Sequence, residues 1–382
     1  VNLPIFPSHG NDSPFDSANS IYEVLQDAEN MAQEGDWGKL IFRMPHSIQM
    51  FVLNELMNRA GSENEKEKIY GLFKDYYPLG DFFTSMLPDD FAKKFMEGKS
   101  AAQKEETRKA MEHIKGETIR VYRGAANKSA GPEKALSWTE DINIAYLFAL
   151  KAGMSPKIYV GEVEKKDVLE YFDGSEKEVT VIPGSVKVER IDVLYEYDSP
   201  EIMRAAQSVA PIFSKTKAEI EKLYGKKATK WAENEEHGCE HSIRVLAFAL
   251  ILGQLEGLSG TQLRKLAQAA AFHDIGRCDD GPDCSHGERS EKIYRTKKGF
   301  RTDASVAFLI RCHCIPDSEA QSIARCEQDK KLLWILKDAD ALDRFRFGWI
   351  GRGEDTLDAS QLRIKNSKLF VNMAHKMQRD SF

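Results

Sequence analysis

The sequence lacks several features that would assign it to a protein class at once. No run of about 18 apolar residues occurs, so we expect no membrane-spanning segment. The 54 basic and 60 acidic residues give a formal net charge of −6, and without a basic excess nucleic acid is not an expected partner. The six cysteines form no C-x-x-C pair. We therefore expect reduced, mostly buried thiols rather than a disulfide framework, and a structural zinc site is the weaker alternative.

The chain is long enough for more than one core. Its 382 residues predict two or three domains, and 42% hydrophobic against 30% charged residues is an ordinary globular balance. The first ten residues, V-N-L-P-I-F-P-S-H-G, show no basic segment followed by an apolar one. We therefore expect no signal peptide among the residues given.

Hydrophobic periodicity divides the chain into regions of different secondary structure. The segments I-Y-E-V-L-Q-D-A-E-N-M and M-P-H-S-I-Q-M-F-V-L have apolar residues at helical spacing. The segments T-I-R-V-Y-R, K-I-Y-V-G-E-V and V-T-V-I-P are typical of strands. We predict an α+β multidomain fold with four regions: a helical lobe over 1–115 that begins with an irregular arm, a β-rich core over 116–200, a solvated linker helix over 201–230 and an all-α bundle over 231–382.

The most informative feature is a concentration of histidine and aspartate in the predicted bundle. Five of the nine histidines lie between His237 and His313, within E-H-S-I-R-V, F-H-D-I-G-R and neighbouring segments, and D-A-D-A-L-D follows. Helices that pack antiparallel bring such residues together at their ends. Imidazole and carboxylate groups together suit a divalent metal that activates water.

These segments resemble the HD phosphohydrolase superfamily, which is named for its consecutive His-Asp pair. The resemblance covers residues 230–350 and implies a site for divalent metal (Mg, Mn, Fe or Zn). Asp274 would bridge two metals and act in catalysis, and Arg244 and Arg277 would contact phosphate. The implied ligands are His241, His273, Asp274 and Asp340 for the first metal, and His286 and His313 where two-metal members have further ligands.

A second relationship leaves the chemistry of this region open. The segment H-G-C-E-H-S-I-R-V also resembles the phosphodiesterase domain of the SidE effectors, a helical relative that splits ADP-ribosylated ubiquitin with histidines rather than a metal. His237 lies four residues before His241, so both share one helical face. On this interpretation His237 is a catalytic nucleophile or acid. The motif F-H-D-I-G favours the metal.

A separate set of candidate site residues lies in the predicted β-rich core. Three motifs follow one another at strand ends: Y-R-G with Arg123 and Gly124, S-W-T with Ser137 and Thr139, and E-K-E with Glu176 and Glu178. Their order resembles the R-S-E class of mono-ADP-ribosyltransferases, whose split β-sandwich holds NAD in a cleft. Trp138 and Glu140 depart from the S-T-S of that class, which leaves the contacts with the acceptor open.

The resemblance implies a role for each member of this set. Glu178 would stabilise the oxocarbenium-like transition state as nicotinamide leaves, and Glu176, expected on the same side of a strand, would orient the nucleophile. Arg123 would pair with the pyrophosphate. The NAD-binding residues are Arg123, Gly124, Ser137 and Thr139.

Together the two patterns predict a bifunctional, effector-like bacterial enzyme. It would transfer ADP-ribose from NAD to a protein substrate, such as ubiquitin or another host protein, and then cut the pyrophosphate of the product. We expect it to be secreted into a host or target-cell cytoplasm, and otherwise to be cytoplasmic. The alternatives are a transferase toxin with an independent metal-dependent nucleotide phosphohydrolase, and a non-enzymatic scaffold or nucleotide sensor.

Overall fold

The computed structural model describes residues 36–79, 87–225, 238–278, 283–297, 302–347, 350 and 356–379. The predicted N-terminal arm and the predicted helix over 21–31 lie outside these residues. Within the described part of the chain, no helix combines the length and the apolarity that crossing a membrane needs.

Helices make up most of the described structure. They are α1 Trp37–Arg43, α2 His46–Arg59, α3 Glu63–Tyr76, α4 Phe91–Glu97, α5 Ala101–Ala110, α6 Ile142–Lys151, α7 Pro200–Tyr224, α8 Cys239–Leu255, α9 Gly260–Phe272, α10 His286–Thr296, α11 Ala304–Cys312, α12 Asp317–Ile323, α13 Glu327–Leu342 and α14 Lys365–Arg379. Several start at a residue whose side chain caps the helix. At α3, for example, the Ser62 hydroxyl and the Glu65 carboxylate cap each other's backbone N–H groups.

Six strands form an antiparallel sheet in the middle of the sequence. The strands are β1 Thr118–Ala125, β2 Ser137–Thr139, β3 Lys157–Glu164, β4 Val168–Phe172, β5 Glu178–Val181 and β6 Lys187–Val193. Their order in the sheet is β4-β5-β2-β1-β3-β6. In the β4–β5 pair, Phe172 lies opposite Glu178 and Glu170 lies opposite Thr180. The predicted mixture of helices and strands is confirmed.

The chain folds as two compact units. The first comprises Val1–Ile119, Ala130–Trp138 and Val163–Val186. Its core is rich in aromatic side chains, and Tyr70, Phe73 and Phe95 are completely buried. The predicted region 116–200 contributes strands to each unit, and the predicted domain boundaries stay a prediction.

The second unit comprises Arg120–Ser129, Thr139–Glu162 and Lys187–Phe382. Its core is built around α8, where an almost unbroken apolar run from Val245 to Leu252 is buried. A helix that is apolar on nearly all sides needs neighbours around it. Helices α7, α9 and α13 pack against α8, so the residues at its two ends are held by a rigid support.

Helix α7 corrects one prediction. The lysine-rich segment near residue 220 was expected to be a solvated linker, but Thr216, Ile220 and Tyr224 are buried in the second unit. These three residues are four apart and therefore form one row along the helix. Because lysines lie between these three residues, the overall composition of the segment does not reveal its buried face.

Candidate metal centre

The ends of five helices bring the histidines and aspartates of the second unit together. His241 lies in the first turn of α8, His273 ends α9 and is followed by Asp274, and His286 begins α10. His313 ends α11, and Asp340 lies in the last turn of α13. The predicted ligands therefore come from places where side chains of different helices can face one another.

The first group consists of His241, His273, Asp274 and Asp340. The Nε2 atoms of His241 and His273 lie 3.1 Å apart. His241 Nε2 lies 3.4 Å from Asp274 Oδ2 and 3.3 Å from Asp340 Oδ1. The histidines are fully buried, whereas the Asp340 side chain is 35% exposed, so the group opens to solvent beside Asp340.

The second group uses the other oxygen of the same aspartate. Asp274 Oδ1 lies 3.1 Å from His286 Nε2 and 3.3 Å from His313 Nε2. The two Nε2 atoms are 2.8 Å apart. Asp274 is thus placed between two pairs of histidines, with Oδ2 towards one pair and Oδ1 towards the other.

The outer nitrogens of these histidines determine what the inner nitrogens can do. The Nδ1 atoms of His273 and His313 lie 2.8 Å and 2.7 Å from the carbonyl oxygens of Ala270 and Ile310. A carbonyl only accepts, so each Nδ1 carries a proton and leaves a lone pair on Nε2. His286 Nδ1 contacts the Asp283 carbonyl in the same way, and His241 Nδ1 lies 2.7 Å from Asp343 Oδ2.

In their neutral forms, the four imidazoles therefore direct Nε2 lone pairs at one another and at the Asp274 carboxylate in a buried space. Two lone pairs about 3 Å apart repel unless a cation lies between them, and hydrogen bonds from Nδ1 to carboxylate or carbonyl groups are the usual support of metal-binding histidines. The residues present thus fit divalent metal ions. The donor set is nitrogen and carboxylate oxygen, as Mn, Fe or Zn would require.

The pKa values of three of these histidines also indicate that the site favours positive charge. Burial and the charge of Arg346 oppose ionisation of His241, but hydrogen bonds to Asp274, Asp340 and Asp343 raise its pKa to about 10. Burial also opposes ionisation of His286, yet hydrogen bonds to Asp274 and Cys314 raise its pKa to about 10. Burial, with the charges of His241 and His313, lowers the pKa of His273 to about 4. His241 and His286 thus hold a proton at positions where a metal ion would compete.

Asp343 is a site residue that the sequence analysis missed. It is completely buried and contacts His241 Nδ1, Arg244 Nε at 2.7 Å and Arg346 Nη1 at 3.2 Å. The signal was present in D-A-D-A-L-D, because Asp343 follows Asp340 by three residues and so lies on the same helical face. Arg244 holds the carboxylate that contacts His241 Nδ1, and its expected contact with phosphate stays a prediction.

The turn after the His-Asp pair depends on glycine. A Cβ atom on Gly276 would lie 2.4 Å from the backbone nitrogen of Ser290, and the Gly276 N–H donates to the Ser290 hydroxyl at 2.8 Å. The motif H-D-I-G therefore allows the turn to pack against α10, which carries His286. Arg277 Nε, the other predicted phosphate contact, lies 3.3 Å from Asp274 Oδ2.

This arrangement agrees with the comparison to known families. Residues 238–344 match the family model of the HD domain. The match covers α8 to α13, and all six predicted metal ligands lie within it. No curated protein and no solved structure matches the chain significantly. The comparison therefore supports the HD part of the expectation, and nothing in it supports an ADP-ribosyltransferase domain.

Outside the HD domain, the structure brings together two of the residues predicted to bind NAD or act on it. In the first unit, Ser137 Oγ donates to Glu178 Oε1 at 2.5 Å, and the Tyr77 hydroxyl donates to the same oxygen at 3.1 Å. The Tyr77 ring stacks on Phe172, with centroids 5.7 Å apart. Tyr77 was not among the predicted residues, and it helps to fix the orientation of Glu178.

The other predicted NAD-binding residues lie in the second unit. A Cβ atom on Gly124 would lie 1.8 Å from the carbonyl oxygen of Ala145 in α6, so a glycine is required there by packing. Thr139 Oγ1 accepts from the Asp141 N–H at 3.0 Å, and Asp141 in turn caps α6. Arg123 is partly buried in β1. Gly124 and Thr139 thus have structural roles that the motif alone did not indicate.

One premise about the E-K-E motif is wrong. Strand β5 begins at Glu178, and Lys177 has a φ of 46°, so strand alternation does not extend back to Glu176. Glu176 is exposed in the turn before the strand. His237, the candidate for metal-free chemistry, lies outside the described residues.

Proposed function

We propose that this chain is a metal-dependent phosphohydrolase that cleaves phosphodiester or pyrophosphate bonds at the HD site. One observation carries the proposal: the two oxygens of Asp274 face separate histidine pairs, each within 3.1–3.8 Å of the carboxylate. This is the layout that two ions sharing one carboxylate need. The family match over residues 238–344 supports it.

Six side chains would hold the ions: His241, His273, Asp274 and Asp340 for one, and Asp274, His286 and His313 for the other. When bound, such ions activate water and stabilise charge on phosphoryl oxygens. The protein's own part is to keep four Nδ1 atoms engaged, so that each Nε2 keeps its lone pair and its direction. Burial keeps bulk water from the histidines, and the exposed side of Asp340 leaves the substrate an entrance.

A substrate panel tests this proposal. Protein stripped with a chelator is reloaded with Mg, Mn, Fe or Zn and incubated with cyclic nucleotides, nucleoside diphosphates, ADP-ribose and ADP-ribosylated protein. We expect turnover that requires a metal and is lost in Asp274→Asn. Turnover that survives chelation would instead favour the histidine-only chemistry of the SidE-like alternative, and turnover of free nucleotides without a protein would favour the independent nucleotide phosphohydrolase.

We propose a second activity for the first unit because of a specific contact. The Ser137–Glu178 hydrogen bond at 2.5 Å is the interaction that an R-S-E transferase would use to orient its glutamate towards NAD. On this proposal a protein receives ADP-ribose, and the HD site then cuts its pyrophosphate. The SidE-like segment suggests ubiquitin as the first target to try, and delivery into a host cell as the setting.

Labelling with biotinylated NAD in a cell lysate tests this second activity. We expect labelled protein with wild type, none with Glu178→Gln, and stronger labelling with Asp274→Asn, which would leave ADP-ribose uncut. The Glu176→Gln variant shows whether the exposed turn residue matters to transfer. If neither wild type nor Asp274→Asn labels any protein, the proposed transferase activity is wrong and only the proposed phosphohydrolase activity remains.

A further inference from the structure

Cys314 is a potential ligand that the proposed hydrolysis does not use. It follows His313 directly, just after the end of α11. One ligand atom from each of His286, His313 and Cys314 lies within 4.8 Å of the other two. A sulfur and two imidazole nitrogens at this spacing can reach one ion.

The space for the sulfur is built into the packing of α10 against α11. A Cβ atom on Gly287 would lie 2.9 Å from Cys314 Sγ and 2.4 Å from the Arg311 carbonyl oxygen. Any larger residue at position 287 would therefore push the sulfur or the helix end away. The thiol itself lies 3.3 Å from the carbonyl oxygen of Cys284, which gives its proton an acceptor until that proton is lost.

We propose that Cys314 is a thiolate ligand of the second metal and completes a set with His286, His313 and Asp274 Oδ1. The inference rests on the proposed metal-dependent function and adds the identity of the metal. Two imidazoles, one carboxylate and one thiolate form the four-coordinate set that zinc prefers. The thiol gives its proton to solvent as the ion binds.

The two positions on either side of Asp274 then differ in chemistry. The first, with His241, His273 and Asp340, offers nitrogen and oxygen alone, which also suit Mn or Fe. The second contains sulfur and therefore retains a thiophilic ion more tightly. A site of mixed metal composition follows, with zinc held beside Cys314 and a more exchangeable ion beside the partly exposed Asp340.

Cobalt substitution of the full-length chain tests the thiolate directly, because a sulfur ligand gives Co²⁺ an intense charge-transfer band in the near ultraviolet. We expect this band in the wild type and its complete loss in Cys314→Ser, with bound cobalt reduced by about half. Cys314→Asp keeps an anionic ligand, so it should bind as much cobalt as the wild type but without the band. Cys326→Ser, which removes an exposed thiol of the same domain, should leave band and cobalt content unchanged.

The outcomes separate this inference from the function on which it rests. Cobalt that binds to wild type without the band, or a band that persists in Cys314→Ser or Cys314→Asp, overturns the thiolate ligand alone. A wild type that binds no cobalt overturns both the ligand and the metal-dependent function. Circular dichroism of each variant shows whether the helices remain folded. If Cys314→Ser does not fold, Cys314→Asp still provides the comparison with the wild type.

Discussion

A buried carboxylate lies at the centre of a polar cluster in each of the two units, and the clusters differ in the origin of their positive charge. In the first unit, Glu170 is 1% exposed. It accepts from the Tyr70 hydroxyl at 2.7 Å and from the Thr107 hydroxyl at 3.0 Å, and Lys99 Nζ lies 3.8 Å away. Donors and a lysine of the protein itself thus satisfy this carboxylate.

In the second unit, Asp274 is surrounded mainly by imidazole groups, whose Nε2 atoms can hold either a proton or a metal ion. Arg277 Nε lies 3.3 Å from Oδ2, but four imidazole Nε2 atoms also face the carboxylate. A buried carboxylate with its own cation and donors needs nothing from outside the protein. One that is faced by imidazole Nε2 atoms takes its positive charge from solution, as protons or as metal ions, and this contrast separates a structural cluster from a binding site.

The largest effect should come from the aspartate that both histidine pairs share. In Asp274→Asn, the two proposed ions would lose their common anionic ligand, so we expect metal-dependent hydrolysis to fall by about three orders of magnitude, or about 4 kcal/mol of transition-state stabilisation. Metal analysis after dialysis should show that the variant no longer retains the ions. Full activity in this variant would contradict the assignment of Asp274 to the centre.

The structural cluster should respond through stability instead. In Lys99→Met, Glu170 remains buried without its cation, which typically costs about 3 kcal/mol. We expect hydrogen exchange at β5 in the native full-length chain to accelerate by about a hundredfold, as measured by mass spectrometry. Lys104→Met, which changes an exposed lysine of the same helical region, is the matched control. Equal exchange in the two variants would show that Lys99 does not balance Glu170.

A smaller effect on metal affinity is expected from Asp343, which contacts the proposed ligand His241 through Nδ1. Asp343→Asn removes the negative charge that Arg244 and Arg346 share and weakens the hold on His241 Nδ1. Loss of such an outer partner typically lowers metal affinity by about 10–100-fold, which a competition titration with a chromophoric chelator measures. Glu240→Gln, at an exposed carboxylate 3.9 Å from Arg244, should leave the affinity unchanged. A normal affinity in Asp343→Asn would reduce Asp343 to a packing role.

The two clusters were not equally visible in the sequence. The predicted ligands of the HD domain meet in space because each is tied to a helix end that periodicity can locate, as His241 and His313 show. Asp343 was missed although it lay in the quoted motif, because its role depends on the direction of a helical face rather than on its position in the chain.

The buried Glu170 illustrates what sequence alone could not provide. It lies in V-L-E-Y-F, where alternation along a strand does not reveal that Lys99 and Tyr70, far away in the chain, supply its partners. Similarly, Y-R-G predicts a strand end correctly, but the requirement for Gly124 comes from its approach to Ala145 across the fold. Such roles depend on contacts between residues far apart in the chain, and these contacts cannot be predicted from the local sequence pattern.

The last expected effect is a pH dependence confined to the structural cluster. Burial lowers the pKa of Lys99 from 10.5 to about 8, although Glu170 acts in the opposite direction. Between these values the unfolded chain binds the proton and the folded chain does not, so stability should rise as the pH increases from about 8 towards 10.5. Urea unfolding of wild type and Lys99→Met across this window measures the difference. The rise attributable to Lys99 should be present in wild type and absent in the variant, because methionine cannot titrate. Parallel curves for the two proteins would mean that Lys99 keeps its proton throughout, and that its pairing with Glu170 is stronger than the cost of its burial.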